Sequence, residues 1–335
     1  MIAPPRLYRF RNLSGHTSDE GVNIFEREMD ALKNSYLYAS SFYSMNDPME
    51  AFYSVGGEND LLISEFIGSE FNLLENSQEI LRNTIDNFAL VSFSSTYSEY
   101  PMWAYYAGNF SGMCLEFDVN RFTISDFKNE PLRKVNYSSI PLPPISFKDF
   151  SAGNIGEEML LRVIQKREEW AHEKKWRYLT GEVGRKYYAD NALIRIFLGP
   201  RISQPHRAYI CELMKSRGVE VIQLSVIGYE FKEEIILHKN VQCERVGQGG
   251  IYPEEDLKLI LDELKNFFGE FYEKFLLECN ELSINANMES IFDIHMSKFD
   301  SVKAVYVGVI YKLRNGTEKF ERRYYDSSVK LIATK

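Results

Sequence analysis

Apolar residues along the first 240 positions occur in short blocks that have the length and composition of β-strands. Four of these blocks, at 7–10, 37–40, 88–93 and 112–118, are rich in aliphatic and aromatic side chains. Short apolar runs bounded by polar residues are typical of strands in a sheet. Further strands are predicted at 133–137, 187–188, 193–198, 220–224 and 229–237.

Between these blocks, apolar residues recur every three or four positions, which indicates amphipathic helices. In the segment 17–33, for example, Phe25, Met29 and Leu32 fall on one helical face. Helices are also predicted within 58–87, at 157–167 and at 205–215. Predicted strands and helices together indicate an α+β fold with a mixed or split β-sheet core flanked by helices.

The pattern changes after residue 242. A glycine-rich stretch at 243–250 reads as a linker, and a broad apolar stripe predicts a long helix at 253–278. Two strand-like runs then flank Asn315 and Gly316, a pair typical of a β-hairpin turn. We therefore predict a core domain at 1–242 and a helix-plus-hairpin appendage at 243–335. Because the apolar stripe of this helix must be shielded from water, we expect the appendage to dock on the core or to form a homo-oligomer.

The most informative stretch joins the strand at 88–93 to an aromatic helix. Ser92 and Ser94 lie at the exit of the strand, and Trp103 and Tyr106 follow within the next helix. Hydroxyls beside aromatic rings suit a flat organic ligand. The same residues also fit a core corner in which the serines only cap the helix, and both interpretations stay open.

Two other segments offer polar groups that could either contact a ligand or have a structural role. Arg9 and Arg11 share one face of the first strand, where they could clamp a pyrophosphate or carboxylate or pair with acids of the same region. Asn46 and Asp47 precede a proline in a turn, where they could hold the turn or contact a ligand.

A third group of candidates lies at 166–177, which we expect to be helical. On a helix Trp170, Glu173 and Arg177 are three and seven positions apart and so share a face. An indole, a carboxylate and a guanidinium would then converge. They form either a site or a buried ion pair under a tryptophan.

Composition narrows the classes of function. The net charge of −9 argues against bulk attraction to nucleic acid. Residues 121–218 alone carry +7, and they could either face a phosphate-bearing ligand or simply neutralise the acidic N-terminal third. The four cysteines are far apart and the five histidines show no metal-ligand spacing with them, so neither a disulfide framework nor a metal is expected. Without a signal peptide or membrane-spanning run, we expect a cytoplasmic protein with no membrane partner.

Several motifs, in this order, resemble the bacterial "domain of unknown function 2971" family over about residues 6–240. They are Leu7-Tyr8-Arg9-Phe10-Arg11, Leu37-Tyr38-Ala39-Ser40-Ser41 with Asn46-Asp47-Pro48, Ser92-Phe93-Ser94, Met102-Trp103 with Tyr106-Ala107, the strand Gly112 to Phe117, and Trp170, Glu173 and Arg177. Family members usually carry a second acid in W-x-x-E-x-E-x-R, where this chain has Lys175. If that acid is catalytic, this chain is inactive or uses Glu173 alone.

The motif order is also loosely similar to ADP-ribosyltransferases. That similarity implies an NAD-using enzyme without a metal, in which Glu173 stabilises the positively charged sugar of the transition state. A role as a toxin or phage-defence effector is expected from the kind of bacterial family that the chain resembles. The expected cofactor contacts are Arg9, Arg11, Asn46, Asp47, Ser92, Ser94, Trp103, Tyr106, Trp170 and Arg177. The alternative is a module that senses a nucleotide or nucleic acid without catalysis. Both predict a nucleotide-like partner. The enzyme also requires that Arg9, Ser94, Trp103 and Glu173 border one hollow.

Overall fold

A computed structural model of the protein describes residues 3–16, 21–45, 73–145, 154–240, 243–250 and 254–334. The described chain contains a large sheet with flanking helices and a smaller sheet covered by two helices, which confirms the α+β prediction. The strands of the large sheet are β1 (Arg6–Arg11), β2 (Tyr36–Ser41), β3 (Ala89–Ser94), β4 (Met113–Asp118), β5 (Leu132–Lys134), β8 (Lys175–Thr180), β9 (Gly184–Tyr187), β10 (Leu193–Leu198), β11 (Glu220–Ile227) and β12 (Glu230–Leu237).

Five helices accompany this sheet within the described residues. They are α1 (Ile24–Asn34), α2 (Leu73–Asp86), α3 (Tyr100–Tyr106), α4 (Ile155–Val163) and α5 (Gln204–Met214), and β6 (Asn136–Ser138) forms a small parallel pair with β7 (Gln165–Arg167). Neighbours in the large sheet are antiparallel except β10 and β11, which run parallel because α5 carries the chain back between them.

The large sheet splits along one edge of β3. At the carboxyl end of β3, Ser94 pairs with Tyr8 of β1, whereas at its start Ala89 and Leu90 pair with β2. Between these contacts, no strand in the described ranges pairs with this edge of β3. The opposite edge pairs with β8 along its whole length. The split leaves an opening beside Ser92.

The smaller sheet lies in the C-terminal part of the chain. It has the order β13 (Met288–Phe299), β14 (Val302–Lys312), β15 (Glu318–Tyr325) and β16 (Leu331–Thr334), and α6 (Glu254–Phe268) and α7 (Tyr272–Ile284) pack on one of its faces. The predicted hairpin is present as β14 and β15. The sequence reading missed β13 and β16.

A cluster around Asp190 joins the two parts. The Asp190 carboxylate lies 2.8 Å from Nη2 of Arg314, in the C-terminal part, and 3.0 Å from Nη2 of Arg217. Its backbone N–H donates to the Asn287 side chain at 2.7 Å. Asp190 is buried, so these contacts fix the C-terminal sheet against the core with charged groups shielded from water.

Three predicted helices differ from the structure. The first was expected at 17–33 but begins at Ile24, because Asn23 caps it by accepting a hydrogen bond from the Phe25 N–H at 2.9 Å. The long C-terminal helix breaks at Gly269, whose φ of 53° is left-handed. The helix at 166–177 is wrong, since this segment forms β7, a 3₁₀ turn and β8.

Candidate functional site

The opening between β1 and β3 is a pocket of about 130 Å³. Its polar lining comes from five segments of the chain: Tyr8, Arg9 and Arg11 from β1, Ser44 from the turn after β2, Ser92 and Ser94 from β3, Tyr106 from α3 and Lys175 from β8. Because β1 leaves β3 after a single residue pair, the side chains of β1 fill the gap instead of a backbone ladder. Five of the predicted site residues line this pocket: Arg9, Arg11, Ser92, Ser94 and Tyr106.

Arg9 bridges the split in the sheet. Its Nη1 donates a hydrogen bond of 2.9 Å to the Ser92 carbonyl, an acceptor that a neighbouring strand would otherwise occupy. Burial lowers the pKa of Arg9, and the charge of Arg11 lowers it further. Within the described residues no carboxylate lies within ion-pair distance of Arg9. As far as the described ranges show, the site therefore holds a guanidinium whose charge has no close counter-ion.

Arg11, by contrast, is neutralised. Its Nε donates to Oε2 of Glu28 at 2.5 Å, and Arg27 binds the other carboxylate oxygen at 2.9 Å. Glu28 lies on the buried face of α1, and although burial would raise the pKa of Glu28, the two arginines lower it. One acid thus serves two arginines, so this side of the pocket remains positive.

The two serines differ in their hydrogen bonding. Ser94 Oγ accepts from the Thr96 N–H at 3.2 Å and so holds the turn after β3. Ser92 Oγ is buried and has no hydrogen-bond partner in the part of the chain that the structure describes. A buried hydroxyl without a partner costs about 1–3 kcal/mol, which a bound ligand would recover.

Glu173 is fully buried behind the pocket, beneath Lys175 and Tyr106. Its carboxylate lies 2.7 Å from Lys166 Nζ and 3.0 Å from Lys175 Nζ, and it accepts a hydrogen bond of 2.5 Å from the Tyr106 hydroxyl. Burial would raise the pKa of Glu173, but Lys175 and Lys166 outweigh it, so the pKa is lowered. Glu173 is an ionised structural group that does not line the pocket.

Lys175 occupies the pocket wall at the position where the resembled family usually has an acid. Its Nζ lies 3.0 Å from the Tyr106 hydroxyl and 4.6 Å from the centre of the Tyr106 ring. The ammonium therefore adds a positive charge to the pocket that Arg9 also lines. Among the described residues around the pocket, there are five cationic side chains and two carboxylates, although the whole chain is acidic.

The remaining predicted residues lie elsewhere. Trp103 is sealed in the core, where its Nε1 donates to the Tyr97 carbonyl at 2.7 Å, and Arg177 is buried on β8 and donates to the Val163 carbonyl. Trp170 is partly buried beside Lys166, whose Nζ lies 4.3 Å from the ring centre. Asn46 and Asp47 lie outside the described residues.

The predicted hollow therefore contains Arg9 and Ser94 but not Trp103 or Glu173. Sequence reasoning missed Glu28 and Lys166 as the partners of Arg11 and Glu173. Glu28 carried a weak signal, because it stands beside Met29 and Leu32 on the apolar side of α1. The sequence around Lys166 gave no such signal, because the contact of Lys166 with Glu173 depends on the turn between β7 and β8.

Within the described ranges, no three His, Cys, Asp or Glu side chains are grouped so that they could hold a metal ion. No described helix combines the length and apolar composition needed to span a membrane.

Comparison with known proteins gives one family. No curated protein and no solved structure matches the chain. A family model described as "Protein of unknown function (DUF2971)" matches residues 102–178, a segment that includes Tyr106, Glu173 and Lys175. This match confirms, over residues 102–178, the resemblance to the DUF2971 family that the sequence predicted.

Proposed function

We propose that the pocket beside β3 binds the anionic group of a nucleotide-like small molecule and that the protein is a non-catalytic sensing module. The observation that carries the proposal is Arg9, a partly buried guanidinium with no carboxylate within ion-pair distance among the described residues. Burial of an unpaired charge is costly, and an anionic ligand would supply the missing counter-charge.

The other lining groups suit a phosphate or carboxylate. Arg9 presents a planar fork of donors, Lys175 a second positive charge and Ser92 a hydroxyl that needs a partner. A pocket of about 130 Å³ is smaller than a typical site of about 300–1,000 Å³ for a whole organic ligand. The anionic end of the ligand would therefore enter the pocket while the remainder stays outside.

A second candidate is the NAD-using transferase, favoured by the joint presence of Arg9, Ser94 and Tyr106 in one pocket. In that reaction Arg9 would hold pyrophosphate and Ser94 the carboxamide. The position of the Glu173 carboxylate argues against this candidate. Glu173 is buried and bound to Lys166 and Lys175, so it does not face the position of a sugar. Binding without turnover is therefore the better-supported function, and a role in defence stays a prediction.

Calorimetric titration of the full chain tests the binding proposal. ADP and adenosine share a base and a sugar but differ in charge. We expect ADP to bind with an affinity that falls as salt is added, and adenosine to give no heat above dilution. Equal binding of the two compounds would show that the base rather than the anion is recognised, which would overturn the proposal.

Incubation with NAD separates the two candidates. Mass spectrometry for free nicotinamide is expected to find no release above the uncatalysed background. Release that is lost in Glu173→Gln, in a variant confirmed to be folded, would instead establish the transferase. Release that survives in Glu173→Gln would establish turnover by another residue.

A further inference from the structure

The C-terminal sheet has one face that no described element covers. Strand residues alternate between faces, so Val305, Val307 and Val309 of β14 point toward α6 and α7 and are buried with them. Tyr306, Gly308 and Ile310 consequently point the other way. We call this second side the open face; it consists of the outward residues of β13, β14 and β15.

The open face is aromatic. Phe292 and Phe320 have 43% and 56% of their surface exposed, and their ring centres lie 6.2 Å apart. Tyr306 and Tyr324 form a second contact at 5.5 Å. The Phe292 ring lies over Gly308, where a Cβ would approach the ring to 2.6 Å. Large aromatic side chains exposed together on a sheet mark an interaction surface more often than a solvated one.

Charges on the open face are arranged in a row. Asp293 pairs across the strands with Gly308, and Gly308 pairs with Arg322. Residues directly opposite one another point to the same side of a sheet, so an acid and a base flank a glycine on the open face. Arg322 is exposed and has no ion pair in the described part of the chain. The row carries no net charge, which disfavours a polyanion as the occupant.

From this arrangement we infer that the open face binds the open face of a second copy of the chain. A two-fold axis parallel to β14 places β13 of one copy over β15 of the other. Asp293 then faces Arg322 of the second copy, and the pair occurs twice because the contact is symmetric. The same operation brings Phe292 against Phe320 of the second copy. Sheets pack face to face in this aligned manner in β-sandwiches.

The area of the open face is sufficient for a specific contact between two copies of the chain. β13, β14 and β15 have 12, 11 and 8 residues, so at about 3.3 Å per residue and about 4.8 Å per strand they cover about 500 Å² together. Two copies would bury about 1,000 Å², at the lower end of specific interfaces. We therefore expect a reversible dimer of micromolar affinity.

Sedimentation of the full chain with a charge swap tests this dimer. Asp293→Arg and Arg322→Asp are each expected to weaken dimerisation about tenfold or more, because each sets like charges together twice per dimer. The double variant restores the attraction and is expected to recover most of the wild-type affinity. Lys303→Asp is the matched control, since Lys303 is exposed on β14 but points to the opposite side, and it should leave the dimer unchanged.

Three results would overturn the inference. The first is a wild-type chain that stays monomeric up to about 100 μM, where a contact of micromolar affinity would be populated. The second is a dimer that both single reversals leave intact. The third is a monomer that binds single-stranded oligonucleotide and loses this binding in Phe320→Ser, with circular dichroism showing that the variant is folded. That result would assign the open face to base stacking.

Discussion

At the scale of single residues, the two buried charges of the candidate site differ in whether an opposite charge lies beside them. Glu173 is buried, but two lysines and a tyrosine hydroxyl compensate its charge. Arg9 has only a backbone carbonyl as its close partner in the described ranges. Buried charges that stabilise a fold are paired with an opposite charge. An unpaired buried charge lowers stability, and such a residue is retained where a ligand supplies the opposite charge. We therefore assign Glu173 to structure, and Arg9 is the residue that we propose for binding.

This assignment predicts that Glu173→Gln is strongly destabilising. The substitution leaves Lys166 and Lys175 in the interior without their counter-charge, so urea unfolding at pH 7 should show a loss of about 3–5 kcal/mol. Glu169→Gln is the matched control. Glu169 forms an exposed pair with Arg167, and its replacement should leave the free energy of unfolding unchanged within error.

The pH dependence of stability follows from the same contacts. The pKa of Glu173 is lower in the folded chain than in the unfolded chain, so its contribution is complete above the unfolded value of about 4.3 and disappears as the pH falls through the folded value. The difference in unfolding free energy between wild type and Glu173→Gln should thus shrink below about pH 4. A difference that stays constant from pH 7 to pH 3 would mean that the ionised form of Glu173 does not stabilise the fold.

At the scale of elements, local pattern predicted the central strands correctly but not the segment after α4. β1, β3 and β4 are short apolar blocks whose composition already favours a strand. Residues 166–177 have charges and tryptophans at helical spacing, yet the second half of the segment pairs with β3. All six residues of β8 are buried, so the alternation that marks a strand is missing from its sequence. Tertiary pairing overrode the local signal.

The break between α6 and α7 depends on one backbone conformation. Gly269 has a φ of 53° and open space around its Cβ position, so Gly269→Ala should cost about 1–2 kcal/mol through backbone strain alone. Gly156, near the start of α4, also has open space but does not have a positive φ. Gly156→Ala should stabilise the chain by about 0.5–1 kcal/mol. Chemical denaturation of both variants measures the contrast, and equal effects would show that the turn tolerates a side chain.

At the scale of the whole molecule, the Asp190 cluster is expected to couple the core to the C-terminal sheet. Asp190→Asn leaves Arg217 and Arg314 without full charge compensation and should lower stability by about 3–5 kcal/mol. Limited proteolysis should then release the C-terminal part first. Lys319→Gln removes a partly exposed ion pair with Asp126 between the same two parts and should have an effect below about 1 kcal/mol. Unchanged protease resistance in Asp190→Asn would mean that apolar contacts alone hold the parts together.

The architecture was more predictable than the site. The α+β class followed from the spacing of apolar blocks, and the Asn315–Gly316 turn located the hairpin. The pocket depends on where β1 leaves β3, which is set by long-range pairing that no local pattern records. Arg9 and Ser94 were recognised because they stand on strands. Glu28 and Lys166 were missed because their roles exist only after those strands are assembled.

The most direct measurement for the central claim compares Arg9→Met with wild type in the titration with ADP. Arg133→Gln removes an exposed arginine outside the pocket and serves as the charge-matched control. If Arg9 holds an anion, Arg9→Met should weaken ADP binding about tenfold or more while the free energy of unfolding falls by no more than about 1 kcal/mol, the loss of one hydrogen bond. Arg133→Gln should bind as wild type does. Unchanged ADP affinity in a folded Arg9→Met chain would contradict the account.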